Sequence, residues 1–520
     1  MQIKQKSSRY TELIREPLFW FFVFALIYPF LRCGFFPTVD GPAHLYNSNL
    51  ILDHLFSGGS IAGQLFEFNA EPEPNWLGHF LLAGLNSFLP SWLAEKTVVI
   101  LSVILIPIGF RYLLKQHNKG GTWGVFLIFP LSYTILFYLG FYNFCMSIGL
   151  LLFALGLFEK QKGNFSAGFS IVLMLFMLLL YFAHLFSFLV LAGFVIADFL
   201  LRVIQERAFR GRSLRYLIKR FWPLLPALLL SLNFILKKGA AGEVAFVPAE
   251  TLWTWIKESA VLVAMIYDYE FPYSVTLSGL WALLIVVAVA YRIYRKEKPQ
   301  RSDLWLLIAV LFTALYFIAP DQMASGGYIS LRIAMYFTLF ALIWIALQKM
   351  HTGVFILSML VSGYCTLRLL DVHTTESLKL GDDADELYTA APFIEEGKTI
   401  LPLNYTGNWL HSNLATYLGS EKKILVLDNY EASTPHFPMK WKNGKEPYGV
   451  AGDYANSDRP CLTIDRYEEI SGVHVDYITR WYWNEILTDS CTKATDSLLA
   501  SQFEKVFTSP QGKLILYKRK

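Results

Sequence analysis

The sequence predicts a polytopic α-helical membrane protein of about eleven spans, joined to a soluble α/β domain outside the cytoplasm. Three observations carry that reading. Of the 520 residues, 54% are hydrophobic and only 17% charged, where a soluble domain carries about 25%; mean hydropathy is +0.40. The apolar residues gather into long runs, and lysine and arginine are shared unequally among the segments between them. The charge balance also turns over along the chain: residues 1–370 hold 29 Lys+Arg against 19 Asp+Glu, and residues 371–520 hold 16 against 22. The net charge of +4 therefore sums a basic membrane portion, 1–370, and an acidic soluble portion, 371–520. No basic patch with interleaved aromatics points to nucleic acid.

Runs long enough to cross roughly 30 Å of hydrocarbon lie near 17–36, 97–114, 122–139, 142–158, 166–183, 185–201, 221–237, 277–293, 303–319, 330–347 and 353–370. The first follows Lys4, Lys6, Arg9 and Arg15 and is too long for a signal-peptide core, so it reads as a retained anchor. The fifth and sixth together exceed one crossing, which requires a turn near His184. Asn75 to Pro90 is apolar but short, with Asn75 and His79 in it, and is read as lying along the surface. That choice puts Arg111, Lys115 and Lys119 inside. With the N-terminus inside, the cytoplasmic segments hold 22 Lys+Arg. The outer side of this portion holds seven: Arg32, Lys96, Lys237, Lys238, Lys257, Arg332 and Arg368. The positive-inside rule fixes that orientation, and an odd count of spans places the tail outside.

Two outer loops are long, 37–96 and 238–276, as loops with a task are. The first is acidic, with Asp40, Asp53, Glu67, Glu71, Glu73 and Glu95 against Lys96. The second carries an amphipathic stretch from Thr251 to Tyr267 suited to the interface. In the tail, 383–397 reads as a helix, 398–403, 422–427, 461–464 and 474–478 as strands, and 505–518 as a hairpin turning at Ser509–Gly512. Cys461 and Cys491 share the tail; an oxidising compartment allows them to pair, and two buried thiols are the other reading. Cys33, Cys145 and Cys365 are packing residues.

The chemistry is sought where the first outer loop begins, Pro37 to Tyr46. Asp40, followed by Gly41 and Pro42, is either a helix N-cap or a catalytic carboxylate at the membrane surface. His44 lies one turn on, on the same face. Two ligands are too few for a metal site, so no cofactor is assigned, and a divalent cation is the only one the pair leaves open. The tail offers no constellation of its own: its acids follow a surface pattern, and Trp481, Tyr482 and Trp483 read as core, with sugar stacking as the alternative. Asp198, near the cytoplasmic end of a span, is expected to reach water.

An acidic residue a few positions after the first span, the Glu73–His79 stretch before Leu-rich sequence, an Arg at the outer end of a late span and a long C-terminal outer domain together resemble the GT-C superfamily of membrane glycosyltransferases. Protein O-mannosyltransferases and aminoarabinose transferases are the branches it looks most like. The sequence departs from that pattern where Asp40 lacks an adjacent second acid and Gly140–Asn143 carries none. The resemblance implies an enzyme of the bacterial inner membrane that takes a sugar from a polyprenyl-phosphate carrier. The acceptor is a hydroxyl of a glycan, lipid or protein. It casts Asp40 as the catalytic carboxylate and Arg332 as the main phosphate-binding cation. His44, His79, His184, Lys237 and Lys238 are further substrate-binding candidates, with His79 and His184 exposed enough to reach substrate. A lipid or solute transporter or flippase, and a non-catalytic scaffold with an external binding domain, are the competing classes. The spans lack the paired mid-bilayer charges and matching halves that a transporter shows.

Overall fold

The computed structural model describes residues 2–59, 61–117, 123–161, 165–206, 214–238, 242–258, 266–324, 326–454, 461–482 and 490–520. Lys119 and Trp483, named above from the sequence, lie outside them. The chain divides into two compact units, residues 1–29 with 100–374 and residues 30–99 with 375–520. The long first loop therefore belongs to the same unit as the tail.

Among the described residues, eight helices are long and apolar enough to cross a membrane: Leu13–Arg32, Ser91–His117, Tyr142–Gln161, Leu185–Val203, Leu217–Lys238, Asp268–Tyr294, Ile329–Leu347 and Thr352–Phe393. The chain is thus a multi-pass membrane protein, and eight of the eleven apolar runs fall on helices of that length among the described residues. The three remaining runs fall on shorter pieces, Trp123–Tyr138, Ala167–Ala183 and Asp303–Ile318. The first of these is wound mostly as a 3-10 helix over Trp123–Ser132. Pro130 within it has no amide hydrogen to donate, and Gly124 lets it press on Ala346, where an added Cβ would come within 2.8 Å. The turn expected near His184 is present: Ala167–Ala183 ends on His184 in an extended conformation and Leu185 starts the next helix. Leu77–Asn86 has ten residues, about 15 Å of helix, too short to cross.

Close approach holds the first unit together. A Cβ on Gly149 would lie 2.4 Å from Leu105 Cβ, and one on Gly109 2.8 Å from the Gly149 carbonyl oxygen. Small residues at such a crossing let two helix backbones meet. Asp198 does not reach water, contrary to expectation. It is buried and accepts from Arg202 Nε at 2.8 Å, Arg220 Nη2 at 2.9 Å and Arg301 Nη2 at 2.8 Å. Three guanidiniums drawn to one carboxylate exclude the solvent it would otherwise need.

Among its described residues the second unit holds seven strands: β1 Phe66–Phe68, β2 Thr399–Asn404, β3 Leu425–Val426, β4 Met439–Trp441, β5 Tyr477–Trp481, β6 Phe503–Thr508 and β7 Leu514–Arg519. A five-stranded mixed sheet has the order β3-β2-β5-β7-β6, parallel from β3 to β5 and antiparallel beyond. The β6–β7 hairpin turns as expected at Ser509–Gly512, with Gly512 at φ +74° donating to the Ser509 carbonyl. β1, from the first loop, pairs antiparallel with β4 of the tail. Glu95 adds a second tie, accepting from Tyr417 Oη at 2.6 Å and from the Phe36 amide at 3.1 Å. Residues 461–464 are not a strand: Cys461–Thr463 is irregular and a helix runs Ile464–Ser471. Cys461 is held instead by its bond to Cys491. The helix expected over 383–397 is the end of Thr352–Tyr388, and a 3-10 turn follows at Ala391–Phe393, where Pro392 interrupts the amide ladder.

With Cys461 and Cys491 bonded and Cys33, Cys145 and Cys365 free, denatured protein should take up three maleimide mass tags without reductant and five after reduction. The 30-residue separation makes the bond worth about 3–4 kcal/mol. A Cys461→Ser/Cys491→Ser variant should therefore unfold at lower temperature, as read by intrinsic fluorescence.

Candidate active site

Asp40 stands at the N-cap position of the helix Gly41–Ser57, but its side chain makes no capping hydrogen bond. Thr38 does part of that work, its hydroxyl oxygen accepting from the Gly41 amide at 3.1 Å. The Asp40 carboxylate instead accepts a hydrogen bond from the phenol of Tyr430. Burial, reinforced by the charges of Asp40 and Glu431, holds that phenol well above its usual range, so it remains a donor. Asp40 is half-buried and keeps access to its surroundings.

One turn on, His44 faces Glu431. Its Nδ1 is in close contact with Glu431 Oε1, and His79 Nε2 lies 2.8 Å from Glu431 Oε2. The two imidazoles meet edge to face, 4.8 Å between centroids, and Phe437 packs against both. Asn47 Nδ2 donates to Glu431 Oε2 at 2.9 Å. Asn47 and Asn429 exchange amide hydrogen bonds of 2.9 and 3.0 Å, which fixes the orientation of Asn47. Burial disfavours a charged Glu431, yet the two histidines outweigh it and hold the carboxyl down at about 2. His44, His79 and Glu431 are the group among the described residues whose ligand atoms converge as metal ligands do, all within 4.8 Å of one another. The Asp40/His44 pair read from the sequence gives way to a trio that omits Asp40.

His79 and His184 are more enclosed than expected, with 1% and 6% of their surfaces exposed. His79 is taken inward by the short helix Leu77–Asn86. His184, in the first unit, lies edge-on to Phe144 at 5.0 Å. Arg332 reaches the same ring from the other unit-one helix: its guanidinium carbon is 6.0 Å from Phe144 and 4.5 Å from Phe141. Arg332 sits in the first turn of Ile329–Leu347, whose start is capped by Asp321 Oδ1 accepting from the Ser330 amide at 3.0 Å. Lys237 and Lys238 occupy the last turn of Leu225–Lys238, where lysine suits the dipole without further reason. The structure thus brings Asp40, His44 and His79 together in one unit and Arg332 and His184 in the other.

Sequence reasoning missed Tyr430 and Glu431. The tail's acids were read as a surface pattern, whereas Glu431 is fully buried. The signal available was position: Asp428-Asn429-Tyr430-Glu431 follows the carboxyl end of β3, a parallel strand, where α/β sheets place their ligand-binding residues.

No protein-family model matches the sequence, and no curated protein matches it. A structure with which it shares its fold is the crystal structure of ArnT from Cupriavidus metallidurans bound to undecaprenyl phosphate. The TM-score is 0.55 at 10% identity, over 96% of this chain and 97% of that one. The chain accordingly has a GT-C-like fold, a bundle of membrane helices with a C-terminal mixed sheet.

Burial lifts the Asp428 carboxyl to about 7 although Tyr448 Oη donates to it at 3.1 Å. A carboxyl raised by folding from about 3.9 favours the folded state below that value and loses the effect as pH rises to about 7. Relative to the wild type, the unfolding midpoint of Asp428→Asn should climb between pH 4 and 7 and then level off, as measured by differential scanning fluorimetry.

Proposed function

We propose that the protein is a membrane glycosyltransferase that moves a sugar from a polyprenyl-phosphate-linked donor to an acceptor hydroxyl at the outer face of the membrane. The observation that carries this reading is the likeness of fold, end to end, to ArnT bound to undecaprenyl phosphate. Asp40 supports it, as a carboxylate at a helix start that leaves capping to Thr38 and is oriented by Tyr430. The excess of basic residues in the segments read as cytoplasmic sets the orientation, and the Cys461–Cys491 bond suits a tail in an oxidising compartment.

In this reading the acceptor oxygen attacks the anomeric carbon, and the bond from that carbon to the phosphate oxygen breaks. Lipid phosphate departs with the electron pair. Asp40 takes the acceptor proton. Arg332, with five donors in a rigid fork, holds the phosphate oxygens and meets the charge that grows on them. His184 shares the Phe144 wall with Arg332 and lines the phosphate side.

Transfer of a radiolabelled sugar from polyprenyl phosphate in proteoliposomes tests it. Asp40→Asn should lower kcat by about 10²–10⁴-fold with the protein still folded, and normal turnover would reject the role. Arg332→Ala should weaken donor binding by about 10–100-fold, as loss of a charge-assisted hydrogen bond of about 1.5–3 kcal/mol implies; an unchanged donor affinity returns Arg332 to membrane anchoring.

A further inference from the structure

Residues His44, His79 and Glu431 have no assigned part in the transfer step, yet they form the most enclosed ionisable cluster of their unit. Their side chains are 7%, 0% and 0% exposed. Proton bookkeeping singles out His79. Its Nδ1 faces the Asn75 carbonyl oxygen at 3.3 Å, and a carbonyl can only accept, so Nδ1 carries the hydrogen. The neutral ring then turns the lone pair of Nε2 toward Glu431 Oε2, 2.8 Å away, which is also rich in electrons. Something positive belongs between them, either a second ring proton or a metal cation. His44 brings its own Nδ1 to the other oxygen of the same carboxylate.

The surroundings favour the cation. A metal-bound imidazole characteristically gives its other N–H to a backbone carbonyl, as His79 gives to Asn75. The ligating carboxylate is itself held by a hydrogen bond, as Asn47 holds Glu431. Two imidazole nitrogens and one carboxylate are a donor set suited to zinc-class divalent ions, with a position left for water or a substrate oxygen. Calcium and magnesium prefer all-oxygen shells.

We propose that His44 Nδ1, His79 Nε2 and the Glu431 carboxylate bind one zinc-class divalent ion. The ion clamps the helix headed by Asp40, through His44, and the short helix carrying His79 to the tail segment that carries Tyr430 and Glu431. Its role is positioning: Asp40 and Tyr430 are neighbours in sequence of two of the three ligands' segments, so the ion sets the distance between them. The inference stands whether or not the transferase reading holds.

The test uses full-length protein purified in detergent without chelators. Mass spectrometry of metals should find about one zinc-class ion per chain, and chelation should lower the thermal midpoint. Cobalt added to the stripped protein should produce visible d–d absorption, since cobalt(II) accepts the same ligands. Glu431→Gln preserves the shape and an acceptor for Asn47, and should cut metal content to about a tenth or less and abolish the cobalt bands. Asp40→Asn should keep both, separating this site from the catalytic assignment. Monodisperse wild type with background metal, no cobalt bands and a chelator-insensitive midpoint would overturn the proposal in favour of a His79 imidazolium paired with Glu431. Should Glu431→Gln fail to fold, the wild-type metal count and cobalt spectrum still decide the matter.

Discussion

The buried carboxylate of Glu431 constrains its unit more than any other single group, because a carboxylate taken out of water costs several kcal/mol unless its charge is matched and its oxygens are filled. Both conditions are met here by residues from elsewhere in the chain. His44 and Asn47 come from one helix, His79 from another, and Glu431 from the segment after β3. Three stretches separated by up to 387 positions in sequence must therefore arrive together. His44 and Asn47, three apart, lie on one helical face, so meeting Glu431 fixes the rotation of Gly41–Ser57 about its axis. That rotation in turn fixes Asp40, one turn before His44, against Tyr430, the residue next to Glu431. The placement of the candidate catalytic carboxylate follows from the satisfaction of a second carboxylate that does no chemistry in the proposed reaction.

The membrane unit obeys the complementary rule. Hydrocarbon offers no hydrogen-bond partners, so polar groups are neutralised within the protein. Asp198 draws in Arg202, Arg220 and Arg301, and Arg301 also reaches Glu159 at 3.0 Å. Arg220, fully buried, is further surrounded by the rings of Phe158, Phe165, Phe199 and Phe221 at 5.1–5.9 Å, where cation–π attraction replaces part of its lost hydration. A network closed on itself in this way has few sites left for a substrate. Arg332 is likewise approached by aromatic faces, at Phe141 and Phe144, but it is half-exposed.

How much of this could be read in advance depended on whether the signal was local. Span positions, the turn at His184 and the Ser509–Gly512 hairpin follow from apolar runs and turn residues a few positions apart. Local reading failed where a distant partner decides the outcome. Ile464 lies in a β-like tetrapeptide, yet a disulfide from Cys461 and the helix that follows override it. Asp198 looked like a span-end acid reaching for water until Arg202 of its own helix and Arg220 and Arg301 from elsewhere closed over it. His44 and His79 were named from the first loop alone, but their partner was not, since Glu431 lies in the tail among twenty-one other acids and its place after a parallel strand stands out only once the strand order is known. The metal-like trio needs all three, so two-thirds of it was visible and its meaning was not.

Two helix starts in this chain are built less favourably than they need be. At Gly41, an aspartate in the best capping position leaves capping to Thr38 and turns to Tyr430, where a working cap contributes about 0.5–2 kcal/mol. At Ile329, Tyr328 is held in the left-handed region at φ +56°, which costs of order 1–3 kcal/mol for such a residue, and Arg332 adds like charge at the positive end of the helix, unfavourable by about 0.3–1 kcal/mol. In the proposed transfer, a carboxylate released from capping takes the acceptor proton and a cation at a helix start holds the departing phosphate. The proposed reaction thus gives a use to Asp40's departure from capping, which the stability of Gly41–Ser57 alone does not.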